Sequence, residues 1–449
     1  MNNNLNATNK INVFNSNTYK TQNMLELFLL LIYKSLLEFV FIPAYLSIWK
    51  YMLGDISIQF NIFKSFISYT IAICLFLVYI YNGNHNTIYD FAFKMLLYLS
   101  IIPSIALYTV IDRINYKQLL YPMIYFFVLT ILINRSSESQ KKCSIIFKRI
   151  PFLDLIILTI AFIFSIMLWV FLDFPITLSL SDTYDQRMTM RTIELPSIIN
   201  YIYLMLGNVV IPYFFAKSLM YRKKMRAVIS LVTGLLLFFS NGMKTWLLLY
   251  IIGIGLFVFY RLFKDNYKKI IIALEIFFCT IVILSFIALI AVKNNVLLGQ
   301  LGRVLIIPSR IGYTSIDFFS KSEHEFLYLR ESILKLFFES PYPGGSDFYM
   351  NYGTNTTLTS ARANNGLWGD AFRNFGFVGM FIYPFLLMYI FNVVIRSMDK
   401  QRDSVKQFVL LLLIWSSINT SFFTWLITGG IILLIIILKI ENVMENENT

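Results

Sequence analysis

The sequence predicts an all-α, polytopic integral membrane protein, and three observations carry that prediction. Apolar residues fill 57% of its 449 positions, where a soluble domain has roughly 45–50%. Only 14% are charged, against roughly 25% in soluble domains. Mean hydropathy is +0.67. Such a composition excludes a soluble globular protein, a disordered chain and a disulfide scaffold. The net charge of +13, which in a soluble protein would suggest nucleic acid, is read first against a membrane.

A membrane helix takes about 20 mostly apolar residues. Apolar runs occur at 25–48, 62–82, 88–111, 118–133, 152–172, 197–216, 227–240, 246–262, 270–292, 376–395, 405–420 and 424–440, so about 12 spans are expected. The polar, Asn-rich stretch from Met1 to Asn23 precedes a first run long enough to stay in the bilayer, so no cleavable signal peptide is expected. That run holds Lys34 and Glu38, four apart, the spacing of an intramembrane ion pair. Lys64 and Lys94 fall near span ends, where a lysine can snorkel to the interface. The seventh run is short and ends in Ser240-Asn-Gly-Met-Lys-Thr245, which fits a tight hairpin or a broken helix. Cys74, Cys143 and Cys279 lie in or beside apolar runs without metal spacing. With only His85 and His324, no metal site is expected.

The positive-inside rule sets the orientation. With the N-terminus inside, the inward loops gather Arg135 to Arg149, Lys217 to Arg226, Arg261 to Lys269 and Arg396 to Lys406. Together with Lys10, Lys20 and Lys439 they hold 21 of the 38 basic residues. The inverted topology would turn these loops outward, against the rule. Both termini are then cytoplasmic.

One connection is long. Residues 293–375 separate spans one to nine (1–292) from spans ten to twelve (376–449) and face outward. Loops longer than about 12–15 residues are functional or disordered. This one is aromatic-rich, with helical patterning at 323–339 (Phe326, Leu327, Leu334, Phe337, Phe338) before a turn at Pro341-Tyr-Pro-Gly-Gly345. A folded extracytoplasmic module on the membrane surface is expected.

Arginine dominates the outward charges. Eight of the 14 outward basic residues are arginine, against seven of 21 inward. Its planar fork binds phosphate oxygens bidentately. Arg187 and Arg191 stand four apart in one outward loop, and Arg303 and Arg310 repeat the theme in the long one. His324 lies between Glu323 and Glu325, which suits acid–base work, phosphate contact or a plain exposed position. His85 sits on a short inward loop and reads as a bystander.

The most informative stretch is Ser360-Ala-Arg-Ala-Asn-Asn-Gly-Leu-Trp-Gly-Asp-Ala-Phe-Arg-Asn-Phe-Gly-Phe-Val-Gly379. Asn364 or Asn365 can cap a helix start. Asp370 and Asn374 then share a face, as do Gly366, Gly369, Arg373 and Gly376. The free amides of an outward helix N-terminus suit an anion such as pyrophosphate; plain packing and capping is the structural alternative.

This order, from Ala363 to Gly379, resembles the end of the large periplasmic loop in Wzy-type O-antigen and oligosaccharide repeat-unit polymerases. Those proteins also have about a dozen spans and one dominant late outward loop. The resemblance implies a GT-C-like glycosyltransferase of the bacterial inner membrane, working at its periplasmic face. Its substrates would be undecaprenyl-diphosphate-linked oligosaccharides. An acceptor sugar hydroxyl attacks the donor anomeric carbon, and undecaprenyl diphosphate leaves. No cofactor or metal is implied, and a chain-length regulator protein is a candidate partner. Candidates to stabilise the diphosphate are Arg187, Arg191, Arg303 and Arg310. Glu323, His324, Glu325 and Asp370 are candidates for the base. Arg330, Tyr342, Arg362, Asn364, Trp368, Arg373 and Asn374 are candidates for binding sugar. O-antigen ligase has a similar plan. A twelve-span flippase or transporter would be expected to show internal repeats, short loops and more buried charges. A membrane scaffold would leave the outward arginines without a role.

Overall fold

In the chosen topology every backbone polar group inside a bilayer must find its partner within the fold, which leaves helices as the natural element for these apolar runs. The structure is a computed structural model. It describes residues 21–49, 58–81, 87–138, 153–171, 190, 193, 195–264, 266–293, 295–331, 334, 337–342, 366–399 and 401–446. Among these the fold is all-helical, with no strand and one isolated bridge between Ile58 and Ile111.

The helices are α1 (21–48), α2 (Ile62–Tyr81), α3 (87–110), α4 (Tyr116–Glu138), α5 (Leu153–Phe171), α6 (197–220), α7 (Lys224–Asn241), α8 (Lys244–Leu262) and α9 (Tyr267–Val292). Then follow α10 (Val296–Leu305), α11 (Ile307–Phe319), α12 (Leu367–Ser397), α13 (Asp403–Asn419), α14 (Phe422–Leu426) and α15 (Ile431–Asn446). Nine of the described helical segments are long and apolar enough to cross a membrane: α2 to α6, α8, α9, α12 and the α14–α15 pair. The other three apolar runs are helical as well, in α1, α7 and α13. The protein is thus a membrane-embedded, multi-pass helical protein. Its rim carries large apolar side chains such as Phe63, Phe66, Ile160, Met167 and Ile290, the inverse of a water-facing surface. The seventh run resolves as a tight hairpin: α7 ends at left-handed Gly242, and α8 begins two residues later.

Three of the long helices are interrupted by a π-turn with one shared cause. The turns at Leu37–Phe41, Leu97–Ile101 and Leu206–Val210 each precede Ile-Pro: Ile42-Pro43, Ile102-Pro103 and Ile211-Pro212. A helical proline lacks an N–H and its ring collides with the carbonyl four residues back. Those carbonyls belong to Phe39, Leu99 and Asn208, inside the three π-turns, where the widened backbone makes room. Two of the π-turns are also tied to neighbouring helices. Tyr33 donates its hydroxyl to the Tyr98 carbonyl at 2.9 Å, and Trp246 Nε1 donates to Asn208 Oδ1 at 2.7 Å.

The ion pair expected within α1 forms: Lys34 donates to Glu38, which also accepts Ser65 Oγ at 2.6 Å, and both charges are buried. Lys34 stands over the Tyr69 ring. Neither Lys64 nor Lys94 snorkels. Lys64 donates to the carbonyls of Ile111, Asp112 and Ile114 at 3.2, 2.8 and 2.7 Å, closing the α3–α4 turn. Lys94 is buried in α3, a helix enclosed along its whole length, and meets Glu26 of α1 at 2.5 Å.

α12 organises the part of the fold that concerns function. It packs along α4 and α11 and also touches α13 and α15. Its first turns, 367–375, are divided from the rest by Gly376, whose backbone is non-helical (φ 55°, ψ −136°). The expected start of the tenth span falls at this kink.

Candidate functional site

The long connection begins with two helices. α10 and α11 meet at Ile306, and Pro308 occupies the first turn of α11, where its missing N–H costs nothing. α11 is tied to neighbouring elements. Ser309 Oγ lies 2.8 Å from Ser104 Oγ, and Tyr313 donates to the Ser104 carbonyl at 3.0 Å. Asp317 receives Arg113 at 3.1 Å and Gln118 Nε2 at 3.2 Å. These ties make α11 a rigid frame.

Arg310 is half-buried on that frame. Burial pushes its guanidinium down to about 10, Tyr45 counters and the charge of Arg113 adds to the drop. It therefore stays cationic at neutral pH. Arg303 on α10 is exposed.

Beyond α11 the chain differs from expectation. Helical patterning suggested a helix over 323–339, but the described residues 321–331 form turns and irregular backbone. Tyr328 and Leu329 are both left-handed (φ 47° and 65°), which no α-helix accommodates. The cause lies in α12. The kink at Gly376 removes the usual partners of the carbonyls just before it. Leu327 donates to the Arg373 carbonyl at 2.9 Å and Tyr328 to that of Asn374 at 3.3 Å. Leu329 donates to Asn374 Oδ1 at 2.9 Å. The apolar residues that read as a helical face instead pack individually: Leu327 is buried, and the Phe326 ring lies against Phe372 and over Gly376.

His324 is held at the end of α11. Its ring stacks on Phe318 with centroids 3.7 Å apart, and Nδ1 lies 2.8 Å from the Phe318 carbonyl. A carbonyl only accepts, so Nδ1 carries the hydrogen and the neutral ring has its lone pair on Nε2. Phe318 is eight residues beyond Arg310, about 12 Å along the helix axis at 1.5 Å per residue. Tyr342 meets the edge of Phe318 and donates its hydroxyl to the Glu325 carbonyl at 2.9 Å. Glu325 is exposed and pairs with Arg330 at 3.1 Å. Arg330 also donates to the carbonyls of Leu327 and Phe326. Glu323 is exposed.

The other candidates are buried in a polar knot at the head of α12. Asp370 Oδ1 receives two guanidinium nitrogens of Arg373 at 2.8 and 2.7 Å and Asn374 Nδ2 at 3.1 Å. Its Oδ2 accepts the Phe422 N–H at 2.8 Å. All three knot side chains are buried, and both Asp370 oxygens are engaged. Glu331 lies 3.9 Å from Arg373. Trp368 is buried against Gly312 and the Tyr313 ring.

The N-terminus of α12 is also closed to an anion. Gly366 faces the Ser417 and Ile418 carbonyls so closely that a Cβ there would lie 2.1 and 2.3 Å from them. The negative charge in the first turn is the protein's own Asp370, which complements the helix dipole. Arg187, Arg191, Arg362 and Asn364 lie outside the described residues.

Sequence reasoning missed the partners that position these groups. Phe318, Phe326, Phe422 and Glu331 read as ordinary apolar or loop residues, and no local pattern marks them. No protein family, curated protein or solved structure matches the chain.

Proposed function

We propose that this protein polymerises undecaprenyl-diphosphate-linked oligosaccharide repeat units into a surface polysaccharide. In this reading it crosses the bacterial inner membrane twelve times in a GT-C-like arrangement. Both termini are cytoplasmic, and the α10–α12 connection faces the periplasm. The observation that carries the reading is one rigid helix that bears one group and orients a second, complementary one. Arg310 supplies a half-buried cation, and Phe318 orients His324 with its Nε2 lone pair.

The reaction uses them in one displacement. The acceptor hydroxyl attacks the donor anomeric carbon and gives its proton to His324 Nε2. The bond from that carbon to the diphosphate oxygen breaks. The charge left on undecaprenyl diphosphate is met by Arg310, with the exposed Arg303 on the adjoining helix. Arg187 and Arg191 are further candidates on the same side. Asp370, Arg373 and Asn374 act by position, docking the 327–329 turn on α12.

Deletion of the gene tests the activity: surface glycan carrying a single repeat unit is expected on a gel. Normal long chains, in a host with no second polymerase, would refute it. A tag placed within 340–360 tests the topology, with periplasmic access expected and cytoplasmic labelling the contrary result.

A flippase or transporter is the second reading, and one observation favours it. Buried charges beyond Lys34 and Glu38 cluster at Glu26, Lys94 and Glu275, and buried Glu441 pairs with half-buried Lys217. Loss of all surface glycan on deletion, including the single-unit form, would favour that reading or the ligase over the polymerase.

A further inference from the structure

The largest buried ionic group lies at the end of α3 opposite the candidate site. Lys94 Nζ stands 2.5 Å from Glu26, 3.7 Å from Glu275 and 3.9 Å from Asp90. Asp90 also receives the hydroxyls of Tyr79 at 2.9 Å and Tyr267 at 3.0 Å, and Glu26 receives Gln22 at 2.8 Å. Glu275 is 1% exposed, and its Oε2 accepts no hydrogen bond from the described residues. The hydroxyl of Tyr98, one turn beyond Lys94 on the same helix, makes none either. Beside Lys94 is a cavity of about 80 Å³ lined by Glu26, Asp90, Tyr79, Tyr267 and Lys268.

Among the described residues the formal charges do not balance. Four elements face this group. α1 brings Glu26 and Tyr33, α2 brings Tyr79, and α3 brings Asp90, Lys94 and Tyr98. α9 brings Tyr267, Lys268, Glu275 and Cys279. Three carboxylates meet two ammonium groups, one of them, Lys268, exposed at the cavity rim. One negative charge is left over in an apolar interior, where an uncompensated carboxylate is costly. One further positive charge restores neutrality. Among the described residues no three potential ligands are placed to hold a metal ion, so a proton is the cation that fits.

We propose that Glu26, Asp90, Lys94 and Glu275 form a site that binds one proton, taken up at the unpartnered Oε2 of Glu275. The site is independent of the polymerase reading, because glycosyl transfer as written above neither consumes nor releases a cation here.

The test uses the full chain in nanodiscs, with thermal unfolding followed by tryptophan fluorescence. In one titration sodium chloride replaces N-methylglucamine chloride at constant pH and ionic strength. In the other the pH is raised without sodium. A ligand that binds only the folded state raises its unfolding temperature. The folded state is expected to hold one more proton than the unfolded, so the midpoint falls as pH rises. A midpoint that instead rises with sodium gives the missing charge to a metal ion and overturns the proposal. Glu275→Gln and Glu26→Gln each remove the surplus charge, so both are expected to abolish the dependence. A wild-type midpoint insensitive to pH also overturns the proposal. So does either variant that retains the wild-type response, and if one variant fails to insert, the wild type and the other still decide.

Discussion

Asp370 accepts the backbone N–H of Phe422 at 2.8 Å across 52 residues of sequence. The same carboxylate neutralises Arg373, so one buried side chain joins the head of α12 to the start of α14. Asp370→Ala would take the nearest carboxylate from the buried Arg373 guanidinium and leave the Phe422 N–H without its acceptor. Breaking a buried pair from one side costs about 3–5 kcal/mol. A much lower unfolding midpoint is expected in nanodiscs, and Asp370→Asn, which keeps an acceptor for Phe422 N–H, is expected to lose less. Full stability of Asp370→Asn with no chain extension would instead give Asp370 a chemical role.

Gly376 makes a second specific demand on α12. Its φ of 55° is unfavourable for residues with a Cβ, and a Cβ there would lie 2.6 Å from the Phe326 ring. Gly376→Ala is expected to destabilise by about 1–3 kcal/mol from the backbone alone. Adding Phe326→Leu relieves the ring contact but not the backbone. The double variant is therefore expected to recover only part of the loss, measured by the same unfolding assay. Full recovery would mean that the backbone strain is negligible.

The membrane class was legible because apolar run length is local, and each expected run is occupied by helix. Lys34 and Glu38 were legible for the same reason, being four apart on one helix. What the sequence hid was tertiary. Phe326, Leu327 and Leu334 carry helical spacing, yet the turn at 327–329 is dictated by carbonyls that Gly376 frees some 47 residues later. Lys94 resembled a snorkelling lysine because its partners Glu26 and Glu275 come from other helices. Trp368 and Asp370 resembled site residues because polar and aromatic types serve burial equally well once their partners are in place. The π-turns had a visible signal, the repeated Ile-Pro within apolar runs.

The π-turn in α3 gives a prediction of its own. Tyr33 donates to the Tyr98 carbonyl inside that turn, and both residues are buried. Tyr33→Phe removes the donor with little change of shape. An acceptor left unsatisfied in the interior costs about 1–3 kcal/mol. A drop of that size in stability, with unchanged chain length in the host, is expected. No change in stability would mean that the carbonyl finds another donor.

Arg310 and His324 separate a clamp from a base. Arg310 sits on α11 and His324 in the turn beyond it, stacked on Phe318, so substitution of either is expected to leave insertion and protein level as in the wild type. Removing one preorganised donor from a developing anion typically costs about 10²–10³ in rate, and losing a general base about 10²–10⁴. Arg310→Ala and His324→Gln, each expressed in the deletion strain, are therefore expected to collapse the glycan ladder toward single repeat units. Arg310→Lys tells charge from geometry, because lysine keeps the cation and loses the fork that matches two phosphate oxygens. Partial recovery of chain length with lysine is expected if charge alone matters, and none if the bidentate contact is required. Wild-type ladders from both Arg310→Ala and His324→Gln would remove these two residues from the reaction and turn attention to Arg303 and Glu323 on the same connection.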